Sequence, residues 1–265
     1  MSVQKEQLIF PQSFNLSGKT ALVTGASRGI GRALSIGLAQ SGAKVILAGR
    51  SESHLKRVAA KIGEKSPSPV ALTLDVTDFD NAPGLIAECC RSVGGLDILV
   101  NNAGFESVAD SLELTPSLWD SIVNTNLKGA FFVAQTAAGL MLENKEKNCS
   151  IVNVCSLGSS VGIPTAVPYT SSKSGLLGMT RALSSEWAPK GIRVNAIAPG
   201  YFRTAMTDEF FRDTDWADAM LSKIPMGRFG QVEDLIGAVV FFCSPAASYV
   251  SGQMLTIDGG YLAAI

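Results

Sequence analysis

One repeated alternation constrains the fold of this chain more than any other feature. Apolar, β-branched runs recur at Thr20 to Thr24, Lys44 to Ala48, Val70 to Leu74, Ile98 to Asn101, Ser150 to Val154, Arg193 to Ile197 and Met254 to Ile257, with helix-patterned segments between them. Strands separated by helices need crossover connections, which make neighbouring strands parallel. Most of the runs are apolar on consecutive residues (ALV, VIL, ILV), as expected where helices cover both faces of a sheet. The pattern predicts a doubly wound α/β fold with a parallel sheet of about seven strands. No repeat, low-complexity tract or linker divides the chain, and Asn144 to Asn148 reads as a polar loop. At 265 residues, 1–265 is expected to form a single domain with a substantial core.

Composition narrows the function classes. The formal net charge is -1 and the sequence pI about 5.9, so no basic field favours nucleic acid or an anionic membrane. With 46% hydrophobic residues and 26 scattered glycines, the chain does not read as disordered. Cys89, Cys90, Cys149, Cys155 and Cys243 form an odd set without a C-x-x-C spacing, which argues against a disulfide framework and a zinc site and for a reducing compartment. Residues 1–15 read as an N-terminal extension: Lys5 and Glu6 flank only the short apolar run Leu8 to Phe10, unlike a signal peptide. The stretch Ile236 to Cys243 falls far short of the roughly 20 residues of a membrane helix. A cytoplasmic location is the expectation. The single histidine, His54, lies in the polar stretch Arg50 to Arg57 and reads as a surface residue at a helix start. An acid-base group other than histidine is therefore expected, and no metal site.

Ligands of such sheets bind beyond the carboxyl ends of the strands. After the first strand comes Thr24-Gly25-Ala26-Ser27-Arg28-Gly29-Ile30-Gly31, leading directly into a helix. Glycines 25, 29 and 31 allow a tight turn and close backbone approach, and a helix N-terminus offers N–H groups and positive dipole to a pyrophosphate. The spacing is Gly-x-x-x-Gly-x-Gly rather than the common Gly-x-Gly-x-x-Gly, and a purely structural turn is the alternative. The second strand ends Ala48-Gly49-Arg50. NAD selection usually places a carboxylate near here for the ribose 2′-hydroxyl, whereas NADP selection uses cations. Gly49 stands where that acid is sought, and Arg50 and Arg28 are within reach, so NADP(H) is the preferred cofactor, with NAD(H) or two ordinary surface arginines as the alternatives. The fourth strand runs into Asn101-Asn102-Ala103-Gly104, small residues that let a loop lie against a cofactor.

Ser156, Tyr169 and Lys173 form the most specific constellation. Ser156 follows the fifth strand, and Tyr169-x-x-x-Lys173 puts phenol and ammonium on one helix face. A nearby cation is expected to pull the tyrosine pKa down from about 10 and make Tyr169 a usable general acid. The Ser156 hydroxyl can hydrogen-bond a substrate oxygen as charge develops on it.

Taken in order, Thr24-Gly25-x-x-x-Gly29-x-Gly31, Asn101-Asn102-Ala103-Gly104, Asn126, Ser156, Tyr169-x-x-x-Lys173 and Pro199-Gly200 make the chain, from Leu16 to Ile265, similar to the short-chain dehydrogenase/reductase family. The resemblance implies a Rossmann-type fold and hydride transfer between a nicotinamide and a carbonyl or secondary alcohol. It implies that Tyr169 protonates the alkoxide, Ser156 orients the oxygen, Lys173 binds the nicotinamide ribose and lowers the tyrosine pKa, and Asn126 helps relay the proton. On the cofactor side it implies Gly25, Ser27, Arg28, Gly29, Ile30, Gly31 and Arg50, then Asp75 at the adenine with Val76, then Asn102, Ala103 and Gly104. Tyr169, Lys173, Pro199, Gly200, Phe202 and Thr204, the last for the carboxamide, complete that set. Within the family, Ala198 to Thr207 and the ending Asp258 to Ile265 look most like gluconate 5-dehydrogenases and neighbouring sugar-acid dehydrogenases, with Arg203 a carboxylate partner. Residues 201–225, with Met206, Phe210, Phe211, Trp216, Met220 and Leu221, resemble a substrate lid. The alternatives are 3-oxoacyl-carrier-protein reductases, general ketone reductases and, in another class, a cofactor-binding protein without turnover. Leu176, Thr180, Leu183 and Trp187 stripe one side of the helix after Tyr169, and Gly175, Gly178, Ala182 and Ser185 another. Both sides look built for close packing, and the resemblance implies a homotetramer.

Overall fold

A computed structural model describes residues 14–63, 67–143, 148–203 and 212–265. Its strands are β1 (Thr20–Thr24), β2 (Lys44–Gly49), β3 (Val70–Thr73), β4 (Ile98–Asn101), β5 (Cys149–Val154), β6 (Ile192–Pro199) and β7 (Met254–Ile257). They form one seven-stranded sheet in the order β3-β2-β1-β4-β5-β6-β7, parallel throughout. The helices are α1 (Gly29–Gln40), α2 (Glu52–Gly63), α3 (Ala82–Ser92), α4 (Pro116–Val123), α5 (Ala130–Glu143), α6 (Val167–Trp187), α7 (Thr214–Leu221) and α8 (Ile236–Cys243).

The consecutive apolar residues of the central strands are explained by two cores, one on each face. Val23, Val45, Leu47 and Val100 point to the side where Leu34 and Leu38 of α1, Leu55 and Val58 of α2, and Val239 and Phe242 of α8 pack. Their neighbours Leu22, Ile46, Leu99 and Ile151 point the other way, against Ile86 of α3, Val133 and Met141 of α5, and Leu183 and Trp187 of α6. Each fully buried side chain of this kind contributes about 1.5–3 kcal/mol. The strand order reverses between β1 and β4, where the crossovers leave to opposite sides and a crevice opens at the carboxyl ends.

A π-helical turn, Asn124–Gly129, joins α4 to α5 and brings Asn126 fully inside. Such turns widen a helix locally and recur at functional sites. His54 is exposed at the start of α2 with Nδ1 2.8 Å from the Ser51 hydroxyl. The five cysteines are free thiols. Among the described residues no helix is long and apolar enough to cross a membrane. Of the N-terminal extension, residues 1–13 lie outside the described residues; Phe14 packs on Phe241 at 6.4 Å between centroids.

Candidate active site

The turn between β1 and α1 and the end of β4 are locked together. Asn102 Nδ2 donates to the carbonyls of Thr24 at 2.9 Å and Gly25 at 3.3 Å, and Thr24 Oγ1 accepts from the backbone N–H groups of Asn102 and Ala103, each at 3.0 Å. Gly25 has φ +66°, and a Cβ on Gly31 would sit 2.3 Å from the Gly25 carbonyl oxygen, so neither position accepts a side chain without distortion. Arg28 caps α1 with extended backbone, no side chain accepts from the helix's first N–H groups, and the first turn carries no acid. An anion is thus offered free donors and an uncompensated helix dipole.

At the end of β2, a Cβ on Gly49 would make ordinary contacts, 3.5 Å from Leu55 and 3.9 Å from Ser27, and the strand end itself carries no acid. Arg28 and Arg50 are both exposed beside it. Asp75 is exposed after β3, where burial is outweighed by hydrogen bonds from the Thr77 backbone and hydroxyl and by the charge of Arg50, which together hold its carboxyl below the usual range. Val76 is buried in the core beneath it. The free helix donors and the two cations fit a dinucleotide phosphate.

Across the crevice, α6 brings Tyr169 and Lys173 to the end of β5. Lys173 is buried, and its ammonium donates to the Val154 carbonyl at 2.7 Å while lying 5.6 Å from the Tyr169 ring centroid. Ser156 is half-buried just past β5, with its hydroxyl accepting from Gly158 N–H at 3.2 Å and interacting with the Tyr169 hydroxyl. Ser159 Oγ to the Lys173 carbonyl at 2.9 Å and Ser174 Oγ to the Gly158 carbonyl at 3.2 Å pin the serine loop to α6. Asn126 Nδ2 reaches the Ser172 hydroxyl at 3.2 Å, and Ser172 in turn donates to the Tyr169 carbonyl at 2.7 Å. A Cβ on Gly104 would lie 3.0 Å from Asn126 Oδ1 and 3.6 Å from Lys173 Nζ. The structure therefore brings Ser156, Tyr169, Lys173, Asn126 and the Asn102-Ala103-Gly104 loop into one site. Beneath it, Asn101 Nδ2 bonds Asn153 Oδ1 at 3.1 Å, and Asn153 Nδ2 bonds Thr180 Oγ1 at 2.9 Å, a buried polar chain from β4 to α6.

The electrostatics differ from the sequence expectation. Burial pushes the Tyr169 phenol up to about 12; the Ser156 hydrogen bond opposes this, while Glu106 and Cys155 add to it. Burial also lowers the pKa of Lys173. The expected lowering of Tyr169 by Lys173 is thus corrected in this structure: the ammonium is committed to the Val154 carbonyl, and burial sets the direction for the phenol. Sequence reasoning also missed Glu106, which is half-buried close enough to Tyr169, Lys173 and Tyr201 to act on all three.

Beyond β6, buried Pro199 and then Gly200 pack against the end of β7, with Gly200 N–H to the Ile257 carbonyl at 2.9 Å. Phe202 is 4% exposed, its ring in the apolar core beneath α1 and α8, so any contact it makes with a cofactor runs through its backbone. Tyr201 packs edge-on against Trp216 at 5.6 Å and Tyr261 at 5.3 Å. Met220 and Leu221 lie on α7, which Asp213 caps by accepting from Trp216 N–H at 3.0 Å. Thr204, Met206, Phe210 and Phe211 lie outside the described residues.

Comparison with known proteins adds to this geometry. A family model described as enoyl-(acyl carrier protein) reductase matches residues 25–262. The gluconate 5-dehydrogenase of Gluconobacter oxydans is 40% identical over 250 residues, covering 94% of this chain and 97% of its own. A 3-oxoacyl-[acyl-carrier-protein] reductase from Thermotoga maritima is also 40% identical, over 246 residues, covering 92% and 98%. Among solved structures, a gluconate 5-dehydrogenase from Burkholderia cenocepacia in complex with NADP and tartrate superimposes with a TM-score of 0.91 at 36% identity, covering 95% of this chain and 98% of that one.

Proposed function

The chain belongs to the short-chain dehydrogenase/reductase family of oxidoreductases, and on that premise we propose that it transfers a hydride between NADP(H) and a carbonyl or secondary alcohol of a sugar acid such as 5-ketogluconate or gluconate. The observation that carries this reading is the convergence of Ser156, Tyr169, Lys173 and Asn126 beside the glycine turn. When bound, the nicotinamide supplies or accepts the hydride. In the direction of reduction, Tyr169 gives its phenolic proton to the substrate oxygen as the carbonyl carbon is reduced, and Ser156 hydrogen-bonds that same oxygen. Lys173 and Asn126 position Tyr169, the first across one helix turn and the second through Ser172.

Support for NADP comes from exposed Arg28 and Arg50 beside a β2 end that carries no acid of its own, and from the NADP held by the Burkholderia cenocepacia enzyme. Support for a sugar acid comes from the two gluconate 5-dehydrogenases. Reduction of a 3-oxoacyl group on a carrier protein is the second reading, favoured by the Thermotoga maritima relative. The cofactor assignment is tested by kcat/KM for NADPH and NADH in the wild type and in Arg50→Asp. A wild-type preference for NADPH that Arg50→Asp reduces by about tenfold or more is expected. Equal efficiency with both cofactors, or an unchanged ratio in the variant, overturns it.

A further inference from the structure

The loop after β4 carries a carboxylate that hydride transfer does not use. Glu106 follows Asn102-Ala103-Gly104-Phe105, and contacts on either side of it anchor the loop backbone. Asn126 clamps the Phe105 backbone, accepting from its N–H at 3.0 Å and donating to its carbonyl at 2.9 Å. Beyond Glu106, Ala109 N–H donates to the Thr165 carbonyl at 2.9 Å, which ties the same loop to the segment entering α6. On this anchored loop beside the site, the half-buried carboxylate is near enough to Tyr169, Lys173 and Tyr201 for its charge to act on them. Among the described residues no hydrogen bond or ion pair engages it.

A half-buried carboxylate without a hydrogen-bond donor is costly to keep. Burial raises the pKa of Glu106 against the pull of Lys173, as expected of an acid short of donors. An ionised carboxylate only accepts hydrogen bonds. Its complement is a hydroxyl, and it repels a second anion placed at the reacting carbon. Tyr201, flanked edge-on by Trp216 and Tyr261, feels the same charge and adds an amphipathic wall suited to a hydroxylated carbon chain.

We propose that Glu106 is a specificity-determining residue, accepting a hydrogen bond from a hydroxyl on the carbon next to the reacting carbonyl, so that the substrate is an α-hydroxy ketone or the matching diol. The inference rests on the hydride-transfer reading and deepens it. In 5-ketogluconate the carbonyl is flanked by two hydroxyl-bearing carbons, and the carboxylate lies at the far end of the chain. A 3-oxoacyl thioester has no such hydroxyl.

The test is NADPH-dependent reduction of 5-ketogluconate and of the matched pair 1-hydroxy-2-butanone and 2-butanone by the wild type, Glu106→Ala and Glu106→Gln. The glutamine variant, isosteric and uncharged, keeps the test usable if the alanine variant fails to fold. The expected wild-type preference for the hydroxy ketone is about tenfold or more in kcat/KM, shrinking severalfold in the variants chiefly through KM. A wild type that reduces 5-ketogluconate but whose preference survives both substitutions overturns the role of Glu106 alone. A wild type that does not turn over the hydroxy ketone, or that prefers 2-butanone, overturns the role of Glu106 whatever it does with 5-ketogluconate. If 5-ketogluconate is also refused, the sugar-acid reading falls with it.

Discussion

With Tyr169 as the proposed proton donor, its phenol sets the sign of the expected pH dependence. Its phenol is pushed up to about 12 by burial, so the protonated form dominates through the neutral range and the group is a ready donor for carbonyl reduction. Alcohol oxidation needs the opposite form, which grows about tenfold per pH unit below the pKa. We expect kcat/KM for oxidation to climb from pH 7 to 9 while reduction stays nearly flat, and Tyr169→Phe to lower both by about 100-fold or more. A pH-rate profile for oxidation that is level over that range would contradict the raised pKa. Ser156, after a strand, and Tyr169 and Lys173, four apart on one helix, were legible from residue type and spacing, whereas Asn126 came only from the family resemblance. The direction of the Tyr169 shift was not legible, because it depends on how deeply α6 is packed and on Glu106 and Cys155, which approach from other loops. Glu106 itself carries no local signal: its place follows from the Asn126 clamp on Phe105.

At the scale of the elements, β1 and β4 begin and end where the apolar runs do, since a strand covered on both faces must be apolar on consecutive residues, and the edge strand β7 matches its run although Leu255 is exposed. Strand β6 runs on to Pro199 because pairing with β7 continues through Pro199 and Ile257. The π turn at Asn124–Gly129 was not legible, for nothing in that sequence distinguishes it from α-helix. Helix α6 sorts its two stripes differently. Leu176, Thr180, Leu183 and Trp187 face the core. Gly175 meets Leu127 of the π turn, where an added Cβ would lie 2.8 Å away, so that close approach is made within the chain. Gly178, Ala182 and Ser185 remain exposed, with no atom within 4 Å of a Cβ placed on Gly178. This small-residue face, together with exposed Val167 at the start of the helix, is suited to a second copy of α6. Multi-angle light scattering is expected to give four times the 27.8 kDa chain mass, and Ala182→Glu a smaller assembly. A single wild-type mass near 27.8 kDa would contradict the homotetramer.

For the whole molecule, strand order determines where chemistry is possible. Reversal between β1 and β4 opens one crevice, and the two sides of that crevice carry different jobs. The β1 and β2 ends present helix N–H groups, Arg28 and Arg50, while the β4, β5 and β6 ends present Asn126, Ser156, Tyr169, Lys173 and Glu106. In the reaction proposed above, the two sides act together on one keto acid. This joint action is tested most directly by NADPH consumption with 5-ketogluconate, run beside Tyr169→Phe and with NADH in parallel. Saturable turnover with NADPH, slower turnover with NADH and near-complete loss in the variant are expected. Binding of NADPH without turnover of the keto acid, or equal turnover by Tyr169→Phe, would contradict it.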